Sequence, residues 1–181
     1  AHVGPPVRPR PRGRQARRMT SWRPAYVGVG SNLGDSRALV TSAIDRIAAW
    51  PSTRNLLRAP LYRTPPFGPV AQPDFVNSVA AFLTTLDAHA LLAELRAIEH
   101  ALGREPARER WGPRAIDLDL LALGAERIAD EVLTLPHPGI AERAFVLLPL
   151  ADVAPGLVVP GVGVVAELRR RVADDGIVRL P

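Results

Sequence analysis

Two aspartates and two arginines fall within one short stretch, Arg110–Leu120, RWGPRAIDLDL. The run Asp117-Leu118-Asp119-Leu120 alternates charged and apolar residues, the period of a β-strand. Residues two apart on a strand point to one face and lie about 6.6–6.8 Å apart. Asp117 and Asp119 therefore share a face, while Leu118 and Leu120 turn to the core. Two carboxylates about 6 Å apart repel by roughly 3 kcal/mol at an effective dielectric near 20. A cation held between them relieves that repulsion. Hard oxygen ligands suit magnesium, which commonly takes one or two carboxylates together with substrate phosphates. Arg110 and Arg114 beside such a site would neutralise phosphate oxygens. An exposed strand with a solvated charged face accounts for the same spacing, and the alternation alone does not choose between the two.

Other chemistries are excluded by composition. The 181 residues include no cysteine, so no disulfide, thiolate metal site or cysteine nucleophile can form. All 23 basic residues are arginine. Without lysine there is no Walker A phosphate loop and no lysine Schiff base. Hydrophobic residues make up 47% of the chain, yet no apolar run reaches the ~20 residues of a membrane span. The net charge of +5 is unevenly spread: residues 1–34 hold seven arginines and no acid, and the remainder holds sixteen arginines against eighteen acids, a balance of −2. The basicity belongs to a tail rather than to a folded nucleic-acid-binding face.

The elements that must position the aspartates can be read in order. Residues 1–24, rich in Pro, Arg and Gly, read as a disordered basic tail, and 25–181 as a single domain. Met19, the only methionine, reads as a start, with 1–18 an upstream remnant. A targeting peptide or a functional basic arm are the alternatives. Tyr26–Gly30 reads as a strand and Ser36–Trp50 as a helix capped by Asp35 or Ser36. Gly28, Gly30 and Gly34 approach a dinucleotide-binding fingerprint, but the last spacing is one residue too long and no acidic residue follows at the required distance. Leu56–Arg63 reads as a second strand, followed by a stiff proline-rich loop, Thr64–Asp74. Phe75–Leu83 reads as a third strand, with Phe75 and Asn77 on one face. Asp87 caps a helix over Ala88–Leu102, ended by Gly103. Beyond the Asp-Leu-Asp strand, Arg127–Leu133 reads as β, Gly139–Leu148 as helix, Leu148–Asp152 and Leu157–Pro160 as extended pieces, and Val164–Val172 as a peripheral helix. The order β-α-β-β-α-β gives an α+β, ferredoxin-like core: an antiparallel sheet flanked by helices, with C-terminal additions.

On these residues the chain resembles the 6-hydroxymethyl-7,8-dihydropterin pyrophosphokinase family. The stretches that carry the resemblance are YVGVGSNLGD (26–35), YRTPPFGPVAQPDFVNSV (62–79), IEHALGR (98–104), RWGPRAIDLDLL (110–121) and LTLPHPGIAERAFVLLPL (133–150). The resemblance implies transfer of pyrophosphate from ATP to the hydroxymethyl group of the pterin, with AMP released, in folate biosynthesis. It implies two magnesium ions held by Asp117 and Asp119. Arg114 matches the motif arginine on ATP phosphate, and Arg104 the first arginine of a mobile catalytic loop. The second loop arginine is replaced by Pro106, with Arg108 nearby. Trp111, Leu120, His137 and Arg143 match ATP-side residues, as do Glu99 and Thr134 toward the adenosine. Arg96 and Val132 stand where the family often has glutamine and arginine. The pterin would stack between Phe75 and Phe145, its edge on Asn77, with Thr64, Phe67 and Gly68 adding backbone groups. The resemblance further implies a monomeric cytoplasmic enzyme with the pterin and ATP as its partners, and no nucleic acid or membrane partner for the folded domain. The alternative is a non-enzymatic ferredoxin-like module that binds a small ligand or RNA.

Overall fold

A ten-residue strand, β4 (Phe75–Thr84), organises the sheet. Along one side it pairs with β1 (Arg23–Ser31), which in turn pairs with β5 (Asp117–Leu123). Along the other side it pairs with β2 (Thr53–Arg58) toward one end and β3 (Tyr62–Thr64) toward the other. A terminal strand, β10 (Val178–Arg179), covers the outer edge of β3. All these pairings are antiparallel. The computed structural model describes residues 21–68, 71–104 and 112–181. The tail expected to be disordered over 1–24 lies outside the described residues up to position 20, but its end is ordered: β1 begins at Arg23, which pairs with Thr84, as Pro24 does with Leu83. Two minor hairpins complete the described strands: β6 (Ile128–Ala129) with β7 (Thr134–Leu135), and β8 (Val158–Val159) with β9 (Gly163–Val164).

Four helices are present among the described residues. In α1 (Ser36–Ala48) the apolar stripe Val40, Ala43, Ile44 and Ile47 is buried, and Asp35 accepts the Ala38 N–H at 3.0 Å. In α2 (Ala88–Ala101) the stripe is Leu91, Leu95 and Ile98, and Asp87 accepts the Ala90 N–H at 2.9 Å. Each such cap is worth about 1 kcal/mol. Both helices bury their stripes against one face of the sheet, where Val27, Val29, Ala80, Phe82, Leu118 and Leu120 meet them. The other face carries a smaller core: Val79 and Leu121 pack with Ile140, Val146, Leu150 and Val165. These come from α3 (Ala144–Val153), α4 (Val165–Arg169) and the segment before them. The sheet therefore lies between two helical layers. The second layer covers only part of its face, and the uncovered part is where the cleft forms.

Several boundaries differ from the sequence reading, each for a physical reason. The segment Leu56–Arg63 is two strands, not one. Pro60 has no N–H to donate, Asn55 sits at φ 51°, and the register slips between Arg54 and Leu57. Leu148–Asp152 is helix rather than extended chain, because α3 runs through Pro149. A proline inside a helix costs about 3 kcal/mol. Full burial of Leu147 and Leu150 returns about 1.5–3 kcal/mol each and outweighs it. The helix starts at Ala144 rather than Gly139. Only Ile128–Ala129 of the expected 127–133 strand pairs, because the Asp130 carboxylate accepts the Val132 and Leu133 N–H groups at 2.9 and 2.8 Å and turns the chain. The last helix is five residues long, and the chain beyond it returns to the sheet as β10.

One polar bond ties β3 to the second helical layer. The Tyr62 hydroxyl donates to Asp152 Oδ2 at 2.6 Å. Burial and the neighbouring carboxylate push the phenol up to about 12. The native fold thus favours the protonated phenol. Its stabilising contribution is whole below pH ~10 and is lost as pH rises through about 12. Tyr62→Phe is expected to cost about 1–1.5 kcal/mol by urea unfolding at pH 8, and the gap to the unsubstituted chain closes as pH rises from 10 toward 12. A gap that stays constant across that range would separate the hydroxyl from the stability it is assigned.

Candidate active site

The two aspartates lie as their alternation requires. In the register of β1 with β5, Gly30 faces Asp117 and Gly28 faces Asp119. In the register of β1 with β4, Gly30 faces Asn77. The uncovered face of the sheet thus carries Asp117 and Asp119, then the bare backbone of Gly28 and Gly30, then Asn77 and Phe75. A cleft of about 310 Å³ opens over this strip. The proline-rich loop supplies Thr64, Pro65, Phe67 and Gln72 to one wall, and His137, Arg143 and Phe145 supply another. The glycine pattern that approached a dinucleotide fingerprint is part of this floor. Its first two glycines lie within a strand, and only Gly34, at φ 66°, makes a turn.

Why β1 carries glycine follows from what a side chain would meet. A Cβ on Gly30 would collide with Asn77 Oδ1, whereas a Cβ on Gly28 first meets Leu121 at an ordinary 3.6 Å. Gly30→Ala is expected to destabilise the fold by about 1–3 kcal/mol, the usual cost of overpacking, and to dislodge Asn77. Gly28→Ala should cost well under half of that. Equal losses in urea unfolding would mean that the Asn77 contact does not set the difference.

The charged end of the cleft is compensated group by group. Arg114 Nη1 lies 3.0 Å from both carboxylate oxygens of Asp117. Arg104 Nη1 reaches Asp117 Oδ1 at 2.9 Å and also pairs with Glu99. Across the strand, Asp119 Oδ2 lies 3.7 Å from Arg143 Nη1 and 3.8 Å from His137 Nε2. Burial pushes the Asp119 carboxyl up and Asp117 adds to it, while His137, Arg143 and Arg114 oppose the rise. His137 accepts the Gly139 N–H on Nδ1 at 3.1 Å. Its ring proton therefore sits on Nε2, toward Asp119. Burial pushes this imidazole down, against the pull of Asp119, so a neutral ring is favoured. A Cβ on Gly139 would lie 2.6 Å from Arg143 Nε, so that glycine clears the space in which the guanidinium sits.

The other end is flat and aromatic. Phe75 and Phe145 both line the cleft. Phe145 stands in a tilted pair with Phe67, ring centroids 6.0 Å apart at 58°. Asn77 is buried and donates through Nδ2 to Thr64 Oγ1 at 2.7 Å. Its Oδ1 therefore remains directed over Gly30 as an acceptor.

Of the residues implied by the family motifs, Thr64, Phe67, Phe75, Asn77, Arg114, Asp117, Asp119, His137, Arg143 and Phe145 converge on this one cleft. Arg104 joins it through Asp117. Arg108 and Trp111 lie outside the described residues. Gly68 and Thr134 do not line the cleft, and Thr134 is exposed on β7. Leu120 is a core residue, 3% exposed, because it follows the same alternation that exposes Asp119. Glu99 does not line the cleft. It is 5% exposed, and its carboxylate accepts the Leu118 N–H at 2.7 Å while pairing with Arg104. It thereby fixes the backbone between the two aspartates to α2. Burial pushes its carboxyl up, against the backbone N–H and Arg104. Two residues escaped the sequence reading. Asn32 and Gln72 were visible only as members of longer motif blocks, with no spacing to set them apart.

The chemistry these groups could do is transfer of a phosphoryl-type group to something flat. Hard carboxylate oxygens and three arginines gather at one end, and a rigid aromatic and amide surface forms the other. The comparisons with known proteins agree. Residues 26–155 match the family model of 7,8-dihydro-6-hydroxymethylpterin-pyrophosphokinase (HPPK). A Methylorubrum extorquens protein, 2-amino-4-hydroxy-6-hydroxymethyldihydropteridine pyrophosphokinase, is 46% identical over 156 residues, which cover 86% of this chain and 98% of that one. A Pseudomonas aeruginosa protein of the same name is 45% identical, covering 86% and 96%. Among solved structures, wild-type Plasmodium falciparum HPPK-DHPS with pteroate matches with a TM-score of 0.64 at 14% identity. That match covers 83% of this chain and 42% of the longer one, and it speaks for the fold alone.

Proposed function

We propose that this chain, which belongs to the 7,8-dihydro-6-hydroxymethylpterin-pyrophosphokinase family, does its chemistry in the cleft over the Asp117–Asp119 and Gly28–Gly30 strip. The chain is a diphosphokinase: it transfers pyrophosphate from ATP to hydroxymethyldihydropterin in folate biosynthesis. The observation that carries the placement is that one cleft joins the charged cluster to the aromatic wall.

In this reading the pterin lies over the glycine strip against Phe75 and Phe145, with Asn77 Oδ1 accepting from its edge. Aromatic contacts of this kind add about 0.5–1.5 kcal/mol beyond area burial. The triphosphate lies at the other end, where Arg104, Arg114 and Arg143 neutralise its oxygens and His137 donates through Nε2. The hydroxymethyl oxygen attacks the β-phosphorus. One P–O bond forms there, and the bond from the β-phosphorus to the α,β-bridging oxygen breaks. The hydroxyl proton is lost, and AMP leaves. Among the described residues, no side chain in the cleft is placed as a dedicated general base. Positioning and charge neutralisation carry the step, as is usual for this chemistry.

Two magnesium ions complete the reading. Asp117 and Asp119 fit them: both are hard oxygen donors on one face, and Asp119 is destabilised as an anion by burial and by Asp117. Magnesium bound there would polarise the phosphoryl group and lower the pKa of the attacking hydroxyl. The sheet order β5-β1-β4-β3, with β2 also on β4, is read as ferredoxin-like. Residues 25–181 are read as one domain, with the basic tail before it. A monomeric cytoplasmic enzyme, with no nucleic acid partner for its folded part, belongs to the same reading and rests on the family. No helix among the described residues is long and apolar enough to cross a membrane.

Calorimetric titration with 6-hydroxymethylpterin and magnesium, with and without a non-hydrolysable ATP analogue, tests the placement. Tight pterin binding that requires nucleotide is the expected result. Absence of pterin binding in both conditions would remove the cleft from the reaction.

A further inference from the structure

The β1–α1 turn places a buried asparagine between the Arg114 segment and the proline-rich loop. Asn32 is 4% exposed. Its Oδ1 accepts the Arg114 N–H at 2.9 Å, and its own N–H donates to the Arg114 carbonyl at 3.2 Å. These two bonds clamp the backbone of Arg114, whose guanidinium grips Asp117. The Nδ2 of the same side chain donates to Gln72 Oε1 at 2.9 Å and to the Pro73 carbonyl at 3.1 Å. Gln72 lines the cleft, and Gln72-Pro73 leads through Asp74 into Phe75 and Asn77. All three hydrogen-bonding positions of the amide used here are directional. Flipping it would set Nδ2 against a backbone N–H and Oδ1 against two oxygens, so its orientation is fixed by the network.

We infer that Asn32 is a positioning residue that couples the nucleotide half of the cleft to the pterin half, by bonding the Arg114 backbone and the 72–73 segment through one amide. The inference rests on the transfer reading above and deepens it. A segment bonded to both halves is ordered by either ligand. The second ligand then binds to a wall already set, which is cooperativity between sites of an ordinary kind.

The test is the ratio of pterin affinities with and without the ATP analogue and magnesium, measured by calorimetry on the full chain. Such couplings are typically ~5–150-fold. Asn32→Asp keeps the acceptor for the Arg114 N–H and removes both donors to the 72–73 segment. It is expected to bring the ratio to within about twofold of one, while nucleotide affinity alone changes by less than about threefold. A purely structural role would lower affinities by one common factor and leave the ratio unmoved, which would overturn the inference. Should Asn32→Asp fail to fold, Gln72→Met removes one of the same bonds and is expected to lower the ratio, with an unchanged ratio counting against the coupling. An unsubstituted chain that binds neither ligand overturns the transfer reading and the inference with it. A chain that binds both, with a ratio insensitive to either substitution, overturns the inference alone.

Discussion

Asp119→Ala is expected to abolish AMP formation at saturating magnesium while leaving the nucleotide-free affinity for the pterin nearly unchanged. Asp119 stands on the strand face that opens into the cleft, opposite a glycine, with His137 and Arg143 as its nearest cationic or donor neighbours. Its backbone is held by pairing to β1 on one side, and the adjoining Leu118 N–H is bonded to the buried Glu99. Removing the carboxylate therefore leaves the strand in place. What is lost is one of two hard oxygen donors for the metal. Metal stabilisation of the developing charge is worth several kcal/mol, and about 4 kcal/mol corresponds to roughly a thousandfold in rate. Chromatographic measurement of AMP release gives the answer directly. Normal turnover in the alanine variant would sink the metal assignment. Asp119→Asn separates charge from shape, and it should fail nearly as badly, because an amide is a poor ligand for magnesium beside a single remaining carboxylate.

The second large effect is expected at Arg114. Its side chain makes two contacts of 3.0 Å to Asp117, and in the proposed reaction it faces phosphate. Charge-assisted hydrogen bonds contribute about 1.5–3 kcal/mol each. Arg114→Met should lower kcat by about two to three orders of magnitude, that is about 3–4 kcal/mol at ~1.4 kcal/mol per decade. The backbone at this position is clamped by Asn32 through both its N–H and its carbonyl, so the loss belongs to the side chain. Arg114→Lys restores the charge but not the planar fork, and it should recover only part of the rate. A variant with weakened ATP affinity but ordinary turnover would assign Arg114 to binding rather than to the transfer.

How much of this was legible in the chain depends on the range of the interaction. Asp117 and Asp119 share a face because strand period is local, and that needs no partner to be seen. Both helix caps were legible for the same reason, since Asp35 and Asp87 act three residues away. Gly28 and Gly30 could be set aside as a near-miss of a dinucleotide fingerprint, but their own role was not visible. Their meaning comes from register with β4 and β5, which lie far along the chain. Glu99 follows Ile98 at the edge of an apolar stripe and looks like a surface residue. Its burial makes sense only beside the Leu118 N–H and Arg104. Asn32 is similar, since three of its partners lie at positions 72, 73 and 114. Leu148–Asp152 reads as extended, and the burial that carries the helix through Pro149 is tertiary and not visible locally. The pairing of β10 with β3 could not be read at all from two residues, Val178 and Arg179, without sight of the edge they cover.

The glycine floor has a consequence for anyone designing an inhibitor. A molecule that leans on Gly28 and Gly30 rests on peptide planes, and the chain has no side chain there to shorten, recharge or swing aside. Resistance at this floor can arise only by adding atoms. At Gly30 the first added carbon collides with Asn77, the same residue that this reading sets against the natural substrate. A compound that spends its contacts over Gly30, rather than on the exposed Phe67 at the rim, meets a position where escape and loss of function are the same substitution.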